Sequence, residues 1–414
     1  MFRQQRVVVT GVGVVAPNGI GRDAFWSSLL EGRSGIGLIT LFDTDGFRAK
    51  IAGEVKDFDV QQYVEASTKT SRLSRQAQLA LAAAALANRD AGLNAELKRL
   101  LGAVPIYVGI SSSAMEIVEG GFDRLVRRGA SKVPTNVVEA SSPQQSASAI
   151  AAELGFPSTT HTIASACAAG LEAIGMAASM IRTDQAELVV SGGADAPINR
   201  VSFASFDQAG LSSRRNDQPG KASRPFDRDC DSGVISEGAG IVFLENYAHA
   251  EARNAKPYLE IIGMGSHADM PGGASMSGLA RAMELALANA GLSTADVDFI
   301  CAHGPGHPVI DLAETQVIKS VFGSDAYRVP VTSIKGNTGN PLAAAGPLQI
   351  IACALCLQSG LIHPIANHEN PGIGCDLDYV AGRPRLAHPR VAMINAHGMG
   401  GGNSCMIVRK VDYS

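Results

Sequence analysis

Short β-branched apolar runs alternate along this chain with long alanine-rich stretches, and glycines mark many of the junctions. Arg6-Val-Val-Val-Thr-Gly-Val-Gly-Val-Val-Ala-Pro-Asn-Gly19 predicts a first strand running into a glycine-rich loop, because β-branched side chains fit a pleated, buried surface. Tyr258–Asp269 has the same character. Gln76–Ala87, almost wholly Ala and Leu from Leu79 onward, predicts a core helix. A strand-like approach, a turn and an alanine-rich helix around Cys167 are echoed by Val331–Gln358. A further strand is predicted after each: Ala186–Gly193 in the first copy and, more weakly, Leu361–Ile365 in the second. The chain therefore reads as two related halves, 1–255 and 256–414, joined through the charged linker His249–Lys256.

Composition agrees with a well-buried globular protein: 46% hydrophobic residues, 18% charged, and a core built on aliphatic side chains since aromatics supply only 5%. A net charge of −4 gives no support to nucleic-acid binding. Seven scattered cysteines lack a disulfide framework, which points to a reducing compartment. The N-terminus has no apolar core of signal-peptide length, and no apolar run reaches the roughly 20 residues of a membrane span. A cytoplasmic location without membrane attachment is expected. Cys353-x-x-Cys356 falls inside the apolar helical run Leu348–Leu357 and reads as core. Cys301-x-His303-x-x-x-His307 is interrupted by Gly304, Pro305 and Gly306, so no helix aligns it for a metal, and none is expected. Gly11-x-Gly13 imitates a dinucleotide fingerprint, but Pro17-Asn18-Gly19 continues the loop where a helix is needed.

The chemistry concentrates in three segments. Thr162-Ile-Ala-Ser-Ala-Cys-Ala-Ala-Gly170 places Cys167 at the start of a helix, where free N–H groups and the helix dipole favour a thiolate. Such an end contributes about 0.3–2 kcal/mol, enough to draw a thiol from about 8.5 toward neutrality. Cys301–Glu314 and Val331–Gly346 each carry polar residues at the end of an apolar run, within glycine-rich turns. Cys, His, Lys and Asn converging from distant segments suit covalent acyl transfer.

These segments, with Arg6–Gly19, Arg224–Gly240 and Asn395-Ala-His-Gly-Met-Gly-Gly-Gly-Asn403, resemble the β-ketoacyl-acyl-carrier-protein synthases of fatty-acid and type II polyketide synthesis. The resemblance runs almost end to end. It implies an α/β thiolase-like fold, two repeated halves in αβαβα layers, with Cys167 from one half and His303, Lys335 and Asn340 from the other. It implies that Cys167 is acylated from a carrier protein and that malonyl thioester then loses carbon dioxide to give the attacking enolate. His303 would stabilise that enolate, and Lys335 with Glu314 would hold the site electrostatically. Gly398-Met399-Gly400 would close an oxyanion hole made by the N–H groups of Cys167 and Met399. No cofactor is implied, since phosphopantetheine arrives on the acyl carrier protein. A homodimer or a heterodimer with a ketosynthase-like subunit is implied as well.

Three departures surround the expected site. The family's second catalytic histidine falls on Asn340, which donates a hydrogen bond but carries no charge. Asn340-Pro341 before Leu-Ala-Ala-Ala also reads as a helix N-cap with Pro at the first helical position, and both readings stand. Pro305 and His307 occupy the positions of two pantetheine-binding threonines; His307 either restores one hydrogen bond or is an ordinary loop residue. His397 and Met399 replace aromatic gating residues. The basic segment holding Lys69, Arg72 and Arg75 is either a carrier-protein docking patch or a solvated surface. The departures leave two alternatives to a condensing enzyme: a non-elongating acyltransferase, and a chain-length-factor-like partner subunit.

Overall fold

The computed structural model describes residues 5–93, 102–270 and 276–412. Ten strands carry the architecture: β1 (Val7–Ala16), β2 (Ile106–Ile110), β3 (Thr160–Ala164), β4 (Leu188–Asp195), β5 (Gly238–Asn246), β6 (Leu259–Ala268), β7 (Phe299–Cys301), β8 (Val331–Thr332), β9 (Val391–His397) and β10 (Gly402–Arg409). In the first half they lie in the order β3-β2-β4-β5-β1, and in the second β8-β7-β9-β10-β6. Each half starts with two parallel pairings and ends with two antiparallel ones. Antiparallel pairing of Val7–Val9 with Leu259–Ile261 joins the halves. A small hairpin, Gly19–Ile20, folds back on β1.

Helices complete five layers. α1 (Arg75–Ala91) covers the outer face of the first half, and α3 (Ser277–Ala290) covers the second. Between the halves run α2 (Ala169–Arg182) and α5 (Ala345–Ser359). α4 (Pro308–Phe322) flanks the second half. This is the layered arrangement expected from the sequence. The apolar stretch Leu342–Ser359 is 89% buried, so its composition answers to sheets on both sides. Each fully buried Leu or Ile there contributes about 1.5–3 kcal/mol.

Glycines record how tightly the layers approach. A Cβ on Gly11 or Gly13 of β1 would meet the carbonyl oxygens of Ala87 and Ala83 in α1 at 2.6 and 1.9 Å. Gly263 and Gly265 of β6 meet Ala286 and Ala282 of α3 in the same way, at 2.3 and 2.1 Å. The Gly-x-Gly pattern of the N-terminus thus serves strand–helix contact and occurs once per half. The central helices cross closely too. A Cβ on Gly170 would lie 2.1 Å from the Ala343 carbonyl oxygen, and one on Gly346 would lie 2.8 Å from the Leu171 nitrogen.

The repeat departs from expectation at one strand. Leu361–Ile362 leaves the main sheet and pairs with Arg385–Leu386. The counterpart of β4 is β9, reached only after a long excursion. Pro364 has no N–H to offer a ladder, which ends the apolar run early.

Gly170→Ala is expected to lower stability by about 1–3 kcal/mol, because the obstructing atom is backbone. Gly220, whose Cβ position is open, is the control: Gly220→Ala should stay within about 0.5 kcal/mol. Urea denaturation of both variants checks the difference.

Candidate active site

Both halves deliver a strained turn to the middle of the molecule. After β3 the chain passes through Ala166 at φ +53°, then a 3₁₀ turn over Ala166–Ala168, then α2. After β8 it passes through Leu342 at φ +49°, a 3₁₀ turn over Leu342–Ala344, then α5. A non-glycine residue in that region costs of order 1–3 kcal/mol and persists where its surroundings enforce it. The first turn presents Cys167 near the Met399 N–H and the Asn340 amide, both of which favour its thiolate form. Only 4% exposed, Cys167 packs against Ile198, Phe203, Ile235 and Leu342.

This burial overturns the expectation for the thiol. It pushes the Cys167 pKa up, against the pull of the Lys335 charge and of the nearby Met399 N–H and Asn340 amide. The helix proper begins only at Ala169, and desolvation of a thiolate outweighs what the helix end returns.

His303 follows β7, and its backbone is clamped by Glu314: Oε1 accepts from the His303 N–H and Oε2 from the Gly304 N–H, both at 2.8 Å. Asn395 Nδ2 donates to Oε1 at 3.2 Å. Glu314 makes no ion-pair contact with Lys335; it acts on the site chiefly by holding the His303 turn, and burial raises its pKa. Lys335 donates from Nζ to the His303 carbonyl at 2.6 Å and to His303 Nδ1 at 2.9 Å. The His397 N–H also donates to His303 Nδ1, at 3.2 Å. Two donors on Nδ1 leave the ring proton on Nε2. Burial, then the Lys335 charge and His397, hold the His303 pKa well below its ordinary value. His303 is therefore a neutral donor with no basic lone pair.

Asn340 lies on a short extended segment, its N–H bonded to the Val234 carbonyl at 2.7 Å and its carbonyl to the Ser236 N–H at 3.0 Å. The helix-cap reading fails: α5 starts after Ala344, and neither helical turn there has a side-chain cap. The Asn340 side chain faces Cys167, and its Oδ1 is buried without a protein partner. His307 is a helix cap and not an ordinary loop residue. Its Nδ1 caps α4 by accepting the Val309 N–H at 3.3 Å, while the residue also lines the cleft.

The cleft brings together Cys167, His303, Pro305, His307, Asn340, His397 and Met399. Gly398 packs against the nucleophile turn, where a Cβ would meet the Ser165 carbonyl at 2.9 Å; Gly400 turns the loop at φ +91°, and Met399 is half exposed at its tip. Sequence reasoning missed the apolar wall of Phe206, Leu211, Ile235 and Leu342, which carries no chemical signature. It also missed Asn403 and Asp269 behind His397, although Asn403 ends the glycine-rich motif Asn395–Asn403. Lys69 and Arg72 are exposed as expected. Arg75 is corrected: it forms a two-point ion pair with buried Glu237 at 2.6 Å and bonds the Val55 carbonyl, so it is committed to the fold.

A desolvated cysteine on a strained turn, facing backbone and side-chain donors from the other half, defines a thiolase-fold acyltransferase class. The chain matches the family described as Beta-ketoacyl synthase, N-terminal domain, over residues 4–250, and its C-terminal domain over residues 258–369. It belongs to the β-ketoacyl synthase family. It is 35% identical over 421 residues to 3-oxoacyl-[acyl-carrier-protein] synthase 2 of Synechocystis sp., covering 99% of both chains. Among solved structures, the ishigamide ketosynthase/chain length factor superposes with a TM-score of 0.92 at 32% identity, covering 99% of this chain and 100% of that one. A type II polyketide ketosynthase, in complex with its acyl-carrier protein and bound to the hexaketide, superposes at 0.87 with 30% identity and the same coverage.

Lys335 yields a pH prediction. Burial draws its pKa down to about 8 against the upward pull of Cys167 and Glu314. Between about pH 8 and 10 the unfolded chain binds this proton more tightly, so stability rises with pH. Lys335→Met should abolish that rise, of order 3 kcal/mol, which urea denaturation across this range would detect.

Proposed function

We propose that the protein condenses a Cys167-bound acyl group with a malonyl thioester, both presented by an acyl carrier protein. The observation that carries this reading is the paired donor geometry. One donor set, the Met399 N–H with the Cys167 turn, lies at the sulfur; a second, His303 Nε2–H with the Asn340 amide, lies in the same cleft. In the first step the Cys167 sulfur attacks the acyl carbonyl and the carrier thiol leaves. In the second, the malonyl C–C bond to the carboxylate breaks, carbon dioxide departs, and the electron pair forms an enolate held by His303 and Asn340. The enolate carbon then bonds to the acyl carbon, and Cys167 leaves as thiolate. Neutral His303 does this work as a donor aimed at developing negative charge, for which no base is required.

Asn340 in the second histidine's place supports a slower decarboxylation, because a neutral donor is about half as strong as a charge-assisted one. Pro305 offers the pantetheine arm no hydrogen-bond donor, which leaves His307 Nε2–H to provide one.

A second ketosynthase-like subunit is supported by one open sheet edge. β8 is covered on its outer side by Asp378 and Val380, whereas among the described residues β3 pairs only with β2. Phe122, Val126 and Val138 also stand exposed, at 63%, 67% and 83%. The chain-length-factor reading gains from one solved relative bearing that name, and loses from the intact Cys167 and His303.

Mass spectrometry of Cys167 after incubation with acyl-carrier protein, then with malonyl-carrier protein while carbon dioxide is monitored, tests the reading. Condensation predicts acylation and malonyl-dependent product. Acylation without carbon dioxide indicates a transferase, and no acylation indicates a partner subunit. Asn340→Ala should slow carbon dioxide release by about 10²–10³-fold. Arg72→Glu, with Lys69 intact, should weaken acylation from the carrier protein but not from a small thioester; equal effects on both would remove the docking proposal.

A further inference from the structure

Three imidazoles border the cleft, and what each Nδ1 meets determines its polarity. His303 Nδ1 accepts from Lys335 and the His397 N–H, and His307 Nδ1 accepts from the Val309 N–H. A neutral ring with an acceptor Nδ1 carries its proton on Nε2, so both rings offer donors. His397 is the reverse. Its Nδ1 lies 2.8 Å from Asn403 Oδ1. The Asn403 amide has one possible orientation, because its nitrogen faces three acceptors: Asp269 Oδ1 at 2.8 Å, the Gly401 carbonyl at 2.9 Å and the His267 carbonyl at 3.2 Å. Asn403 Oδ1 therefore accepts, His397 Nδ1 donates, and His397 Nε2 keeps its lone pair.

The remaining polar groups supply no base. Lys335 Nζ is spent on His303, and an amide such as Asn340 does not take a proton at neutral pH. Among the described residues lining the cleft, His397 Nε2 is the one imidazole acceptor. The loop that carries it is strapped over the chemistry, with its His397 N–H on His303 Nδ1 and its Met399 N–H near Cys167.

We propose that His397 is the general base of the acylation half-reaction. Its Nε2 takes the Cys167 thiol proton as sulfur bonds to the acyl carbonyl carbon. It returns that proton to the pantetheine sulfur as the original C–S bond breaks, so the ring begins and ends neutral. Asp269, acting through the Asn403 amide, steadies the transient imidazolium by hydrogen-bond polarisation; Asn403 passes no proton. The proposal rests on the reading of Cys167 as an acyl acceptor. It also answers a need of the site, since burial disfavours the Cys167 thiolate. Position 340 carries an amide with no basic nitrogen, while His397 lines the same cleft. The groups that face it are the edge of His303, with ring centres 5.8 Å apart, Lys335 behind that ring, Cys167, and Asp269 behind Asn403.

The test is single-turnover acylation of Cys167 by the S-acetyl and S-hexanoyl thioesters of N-acetylcysteamine, followed by mass spectrometry between about pH 5 and 8. His397→Phe, His397→Gln and His397→Ala should each acylate about 10²–10⁴-fold more slowly at neutral pH. The deficit should shrink as pH rises and the thiolate forms unaided. Added imidazole should restore His397→Ala and leave His397→Phe slow. Wild-type rates with an unchanged pH profile would overturn the proposal, as would a loss that is uniform in pH and not rescued by imidazole. Gln keeps an amide toward Asn403, so one variant without a base retains the loop's bonding if the others unfold. A wild-type protein alkylated at Cys167 by iodoacetamide but never acylated would overturn the acyl-acceptor reading itself, and this proposal with it.

Discussion

The close crossing of the two central helices is the constraint on which the rest depends. Gly170 and Gly346 stand at matching places in the two halves, each four residues after the onset of a strained turn, at Ala166 and Leu342. With no side chain at either position, backbone meets backbone, and the two turns are brought face to face. One turn carries Cys167; the other follows Asn340 directly. A methyl group at the crossing would force the helices apart, and with them the sulfur and the amide. The buried sheets on both sides make such a separation costly, because α5 has no solvent-facing side through most of its length.

Burial then decides the chemistry of each group. It pushes the Cys167 thiol up, holds His303 well below its ordinary value and draws Lys335 down to about 8. In such a site, charge is scarce and the orientation of dipoles matters more than the count of titratable residues. His303 and His397 show this: one peptide N–H and one lysine set the first as a donor, and one asparagine sets the second as an acceptor. Two identical side chains thereby hold opposite roles a few ångströms apart.

Much of the architecture was legible in the chain. The β-branched runs, the alanine-rich helices and the twofold echo of strand, turn and helix all correspond to observed elements. The Cys167 and His303 segments meet in one cleft, with Lys335 bonded to His303. What misled were local signals with a tertiary competitor. Asn340-Pro341 has the pattern of a helix start, yet the helix waits for Ala345 and the side chain turns to the sulfur. Arg75 looked like a free docking cation, but buried Glu237, 162 positions away in the chain, claims it. Leu361–Ile365 looked like the next sheet strand, and Pro364 ended it.

The sequence by itself determined the repeat, the order of elements and the residue types available for catalysis, because periodicity, glycine placement and side-chain chemistry are local properties. The tertiary structure alone decided the state of those residues: the sign of the Cys167 shift, which nitrogen of each histidine bears the proton, and whether Arg75 or Asn340 is free. These depend on burial and on hydrogen-bond partners supplied from distant segments. No local pattern encodes them.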